Sequence, residues 1–135
     1  MREILFRGKR VDNVEWAYGM PIKNNLGKLV IVESAAYFEE YNFNCVHEIY
    51  INENTVGQYT GLTDKNGKKI FEGDIVKGRF LFGMEVLSVV VFKDGAFGLE
   101  WHRGKSTEFD AFTSMCNVKY EVIGNIHDNP QILEE

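Results

Sequence analysis

Val56-Gly-Gln-Tyr-Thr-Gly-Leu-Thr-Asp-Lys-Asn-Gly-Lys-Lys-Ile-Phe-Glu-Gly-Asp-Ile-Val-Lys-Gly78 is the stretch on which the fold depends. It carries the densest turn chemistry in the chain, with apolar and aromatic residues at strand spacing on either side. Asn66-Gly67 is a strong hairpin signal, because both central positions of a type I′ turn need positive φ. The expectation is a hairpin turning at Asn66-Gly67, with Gly67 at positive φ and Asp64 accepting from an amide about two residues on. In the second arm Ile70 and Phe71 run into Glu72-Gly73-Asp74, a second turn in which Gly73 supplies the permissive backbone and Asp74 ties down amides. The chain then enters another strand at Ile75-Val76.

Asp64, Glu72 and Asp74 therefore read as turn-building and solvated carboxylates rather than an acid–base cluster, since no environment is evident that would drive their pKa values apart. Asp64-Lys-Asn66-Gly67 also imitates the middle of a calcium loop. With Gly67 as the loop glycine, the first and last ligand positions fall on Leu62 and Gly73, where carboxylates are required. The match fails.

Outward from this stretch the pattern stays β. Residues 2–7 alternate, as do Glu15–Met20, and Asn24-Asn-Leu-Gly27 turns the chain into Lys28–Val32. Cys45–Ile51 alternates as another strand. After Gly78, Arg79–Phe82, the Val-rich Glu85–Phe92, Ala96–Trp101 and Lys119–Ile126 follow, with Asp94-Gly95 as a hairpin turn. Two spans suggest short helices. Ser34 is a potential cap with Ala35, Phe38 and Tyr41 on one face. Thr107 is another, with Asp110 three residues on and Phe109, Phe112 and Met115 or Cys116 sharing a face. The core is expected to draw on Phe6, Trp16, Tyr18, Val30, Ile49, Ile75, Val90, Phe97, Phe112, Val122 and Ile123. The tail after Asn129-Pro130 is expected to fray.

A chain of 135 residues with 44% hydrophobic and 26% charged residues, thirteen Gly and ten Phe reads as one all-β, mainly antiparallel domain with one or two short helices. It should be barrel-like or a sandwich over residues 1–135, with an ordered core of about residues 2–128. The barrel is preferred because glycines recur inside the strand patterns.

The net charge of −5 argues against a sequence-independent nucleic-acid binder. Arg2, Arg7, Lys9 and Arg10, together with Lys65, Lys68, Lys69 and Lys77, still offer a local basic face, which protective edge-strand lysines explain equally well. Two distant cysteines, Cys45 and Cys116, make no disulfide framework, and the longest aliphatic run, Leu29–Val32, is too short to span a bilayer. Both features lead to a cytoplasmic protein with reduced thiols and no membrane partner.

No residue constellation in the sequence has the spacing that catalysis or metal binding demands. His47 lies two residues from Cys45, and His102 and His127 stand apart, without the paired spacing of a zinc site. No phosphate loop, nucleophile elbow or dinucleotide fingerprint occurs. Ser106 or Ser114 beside His102 is a pairing that any chain of this size permits. Trp101-His102-Arg103 suits stacking on a base or sugar, and equally suits an aromatic strand end. No catalytic, cofactor-binding or metal-binding residue is assigned, no cofactor is expected, and binding residues remain unassigned.

Val56–Leu62, Asp64–Gly67 and Phe71–Val76, with Met1–Arg7, Trp16–Gly19, Val122–Ile126 and Asn129-Pro130, resemble the YopX-like proteins of phages and prophages. The resemblance implies a phage or prophage origin, a bacterial-host cytoplasm, an all-β fold and an unassigned activity. The favoured functional class is a non-enzymatic binding module acting through a protein partner or self-association. The alternative is a small barrel that binds or modifies nucleic acid.

Overall fold

Small residues decide which way the first strands face. A computed structural model describes residues 3–38, 43–81, 84–112 and 120–134. In it β1 (Phe6–Lys9) pairs antiparallel with β2 (Trp16–Lys23), Lys9 opposite Trp16 and Phe6 opposite Gly19. β3 (Leu29–Phe38) returns along β2, and β4 (Phe43–Tyr50) along β3. A 3-10 turn at Glu53–Thr55, whose cap Asn52 accepts from the Asn54 amide, leads into β5 (Gly57–Thr63). The first two residues of β5 lie beside β1.

Residues 4–58 form one unit, and Glu3 with the residues from 59 onward forms a second. The core of the first is Ala17, Ile31, Ile49 and Ile51, with Leu29 and Val56 against it. Ile31 and Ile51 fill so much of this space that a Cβ on Gly19 or Gly8 would stand 2.8 Å from one of their methyls. β2 therefore turns its small residues, Ala17 and Gly19, inward. Its large ones, Tyr18, Met20 and Ile22, face solvent at 49%, 49% and 46% exposure. Tyr18 is thus not a core residue, and the aromatic alternation of β2 marks its outer face. Of the other expected core members, Val30, Ile49, Ile75, Val90 and Val122 are buried, while Phe6, Trp16, Phe97, Phe112 and Ile123 are half-buried.

In the second unit β5 pairs with β6 (Lys69–Phe71) across the expected hairpin. β7 (Asp74–Leu81), β8 (Met84–Lys93), β9 (Ala96–Arg103), β10 (Ser106–Ala111) and β11 (Glu121–Asn125) make an antiparallel sheet in the order β10-β9-β8-β7-β11. β10 and β11 are its two edges. This sheet is open, so the preferred barrel is not closed here. Ile70, Val76, Val90, Leu99, Tyr120 and Val122 form the core of this unit. Each such aliphatic side chain contributes about 1.5–3 kcal/mol by leaving water.

Both expected helices are replaced by strand where the chain is described. β3 continues through Ser34 to Phe38, paired with β4 across a bulge between Ser34 and Tyr37. The β-branched run that precedes it propagates the strand, and a helix of two turns lacks the length to compete. Residues 39–42 lie outside the described set. Thr107 sits in β10 because the tight turn at Gly104, φ 60°, folds the chain back along β9 with Thr107 opposite His102. Met115 and Cys116 lie outside the described residues. Pro130–Glu134, where fraying was expected, make a second 3-10 turn.

Candidate functional site

Most signature residues are consumed in building the second unit. The loop at 64–68 is not a type I′ turn. Asp64 accepts from the Gly67 amide at 3.0 Å and its own amide reaches Lys68 O at 2.7 Å. Gly67 has φ 83°, as expected, while Asn66 does not share the positive φ. This is a type I turn followed by a left-handed glycine. The Asp64 side chain selects it: Oδ1 accepts from the Asn66 amide at 2.9 Å and the Lys68 amide at 2.8 Å. Oδ2 accepts from the Val122 amide of β11 at 3.0 Å. Asp64 is 5% exposed. Burial alone would push its pKa up, but the three amides outweigh it and hold the carboxyl below its ordinary value.

The second turn is built in the same spirit. Asp74, fully buried, accepts from the Phe71 amide at 2.8 Å. Gly73, at φ 89°, donates to Val90 O and accepts from the Ile126 amide. The His127 ring lies 3.5 Å from where a Cβ on Gly73 would stand. Asn125 Oδ1 accepts from the amides of His127 and Asp128, and Asn129 Oδ1 from the Asn125 amide. Gly124 leaves room for this, since a Cβ there would stand 2.7 Å from Asn129 Oδ1 and 3.0 Å from Ile132 Cδ1. Of the three carboxylates read from sequence as turn-building and solvated, Asp64 and Asp74 build turns but are buried rather than solvated, and Glu72 is half-buried.

The concave feature of this unit lies elsewhere. The sheet register aligns Gly124, Ile75, Val89, Glu100 and Phe109 in one row across five strands, so they share a face. The terminal 3-10 turn sits over the Gly124 end, and Ile75 is fully buried. Beyond it β8 and β9 form the floor of a groove of about 480 Å³. Val86, Leu87, Val89, Ile132 and Leu133 supply its apolar lining, and Glu85, Glu100, Trp101 and His102 its polar and aromatic lining. Glu85, Leu87 and Val89 follow one another at strand spacing on β8, and Glu100 and His102 on β9. Thr107 Oγ1 lies 3.3 Å from His102 Nδ1. Among the described residues neither Glu85 nor Glu100 lies within ion-pair distance of a cation.

Most of the basic residues named from sequence lie against an acid or a ring, and Arg2 lies outside the described residues. The Arg7 guanidinium lies 4.4 Å over the Trp16 ring, Lys9 approaches the same ring, and Arg10 pairs with Asp12 at 2.9 Å. Lys65 and Lys77 both face Glu121, at 3.7 and 3.5 Å, and Lys69 pairs with Glu3 at 2.8 Å. Lys68 is exposed. His47 is exposed, and Ser106, in β10, pairs in register with Arg103. Ser114, Cys116 and the Cys45 side chain lie outside the described residues. Among those described, no three His, Cys, Asp or Glu gather at metal-holding distance. No helix there is long and apolar enough to cross a membrane.

The groove escaped the sequence reading because its parts come from β8, β9 and residues 130–134. One local signal did exist: Glu85 and Glu100 interrupt strands otherwise rich in apolar residues.

The family profile described as YopX protein matches residues 5–134. A solved protein of Enterococcus faecalis, EF1440, shares the fold with a TM-score of 0.56 at 21% identity, over 98% of this chain and 99% of that one. No curated protein matches.

Proposed function

The chain belongs to the YopX family, and from the geometry of its second unit we propose that it is a non-enzymatic binding module whose β8–β9 groove receives a segment of a protein partner. The observation that carries this reading is the groove itself. Its volume of about 480 Å³ falls in the range of binding clefts, and its floor is aliphatic with a few convergent polar groups. Asp64 and Asp74 of the signature are engaged by backbone amides and so are poorly suited to shuttle protons. The pairing of Lys65, Lys69 and Lys77 with acids weighs against a nucleic-acid surface, which needs cations free to displace counterions. We place the module in the cytoplasm of a bacterial host, as a phage or prophage accessory protein, on its sequence signature and its two widely spaced cysteines.

The test is a random peptide library displayed against the folded protein, followed by resonance mapping of the enriched peptides. Shifts concentrated at Leu87, Val89, Trp101 and Leu133, and loss of binding in Leu133→Arg with an unchanged melting temperature, support the reading. Enriched peptides that map away from the groove, or no enrichment at all, overturn it.

A further inference from the structure

Resting on that reading, we infer that the groove selects an extended partner segment carrying a lysine or arginine between aliphatic residues. The inference begins from what the groove lacks. Among the described residues its lining includes two carboxylates, Glu85 and Glu100, and no lysine or arginine. Elsewhere in the same unit Glu121 lies near Lys65 and Lys77, and Glu3 pairs with Lys69. The two groove carboxylates have no such partner among the described residues. Both line one concave space.

The position of Glu100 sharpens the point. It stands directly opposite Val89 on β8 and Phe109 on β10, so its nearest neighbours in the sheet are apolar on both sides. It is only half-exposed. A carboxylate set among such neighbours has less water around it and interacts more strongly with an arriving cation than one on an open surface. Glu85 lies at the other end of the β8 row and is exposed, which places it at the rim. Leu87 and Val89 lie between, with Ile132 and Leu133 forming the opposite wall.

The occupant follows from charge complementarity. A lysine or arginine has an aliphatic stem that lies along Leu87, Val89 and Leu133 while its head reaches a carboxylate. Neighbouring aliphatic residues of the same segment fill the rest of the lining. An acidic segment would meet two like charges. A neutral one would bury or abut the carboxylates without compensation, which costs affinity.

The experiment titrates the intact protein with three synthetic peptides of one length: an aliphatic peptide carrying two lysines, its glutamine counterpart and its glutamate counterpart. The lysine peptide should bind at the groove, at least tenfold tighter than the glutamine peptide and more weakly as salt is raised. Glu100→Gln should weaken the lysine peptide about tenfold and leave the glutamine peptide unchanged, with Glu85→Gln giving a smaller loss. If the glutamine and lysine peptides bind the groove equally well, the groove is a docking site and the charge selection is wrong. If no peptide perturbs Leu87, Val89 or Leu133, both the selection and the docking role fall. Binding of the lysine peptide that is indifferent to Glu100→Gln and Glu85→Gln also refutes the inference.

Discussion

Two loops of this protein share one construction and differ in what they hold. Asn24-Asn-Leu-Gly27-Lys28 joins β2 to β3, and Asp64-Lys-Asn-Gly67-Lys68 joins β5 to β6. In each, the first residue takes the glycine amide on its carbonyl and donates its own amide to the lysine carbonyl. In each, Oδ1 of the first side chain accepts from the amides two and four residues on, at 2.8 to 3.0 Å. The glycines have φ of 76° and 83°. The difference lies in the second side-chain atom. Asn24 Nδ2 points outward, to Tyr50 Oη at 3.2 Å and Glu48 at 3.4 Å. Asp64 Oδ2 points inward and accepts from Val122 of β11. One loop closes a hairpin. The other closes a hairpin and fastens a distant strand, and only a carboxylate has an acceptor to spare for that.

The comparison breaks most visibly at the first residue. Asp64→Ala should cost about 3–4 kcal/mol, because it leaves buried amides without acceptors. Asp64→Asn should cost nearly as much, since an amide NH₂ then meets the Val122 N–H. Urea denaturation measures the loss, and faster hydrogen exchange at the Val122 amide localises it. A value below about 1 kcal/mol for Asp64→Ala would remove the distinction between the loops.

Acid should expose the same distinction. The Asp64 carboxyl titrates below its ordinary value in the folded chain, so its stabilisation is complete above the unfolded value of 3.8 and is lost as pH falls through the folded one. The stability gap between the parent and Asp64→Asn should therefore be constant near neutrality and shrink below about pH 4. A gap that holds at pH 2 would contradict this assignment.

Gly67→Val and Gly27→Val should be alike. Nothing lies within 4 Å of a Cβ at either position, so each pays only for a β-branched residue in the left-handed region, about 1–2 kcal/mol. Unequal losses in thermal unfolding would show that the loops differ in backbone as well as in reach. The smallest effect belongs to Asn24→Asp. It keeps the oxygen that closes the loop, and its exposed second atom gives up only weak surface contacts, so a change within about 0.5 kcal/mol is expected.

Much of this was open to reading in the residues, and what was not has a physical cause. The Asn-Gly and Asp-Gly turns placed the hairpins because positive φ is a local requirement. Asp94 and Gly95, at φ 53° and 81°, meet it as a two-residue turn. Asn66-Gly67 looked equivalent, but Asp64 draws the loop into a wider form, an effect set two residues before the turn. The face of β2 was misread because Tyr18, Met20 and Ile22 outweigh Ala17 and Gly19 by hydrophobicity, while the space beside them was already filled by Ile31 and Ile51. The helices at 34 and 107 lost to strand pairing, which a short window does not contain. The groove was least legible of all: its floor is formed by register between β8 and β9, and its wall by a turn some thirty residues further on.

The bond between Asp64 and Val122 also has a consequence in time. The loop that presents the carboxylate spans five residues and can close as soon as those residues meet. The amide it finally captures is 58 positions away and arrives only when β11 has docked on β7. Such a contact forms late, after the slow search among non-local strand pairings is over. Its loss should leave the refolding rate nearly unchanged and accelerate unfolding, which makes Asp64 a determinant of how long the fold lasts rather than of how fast it is reached.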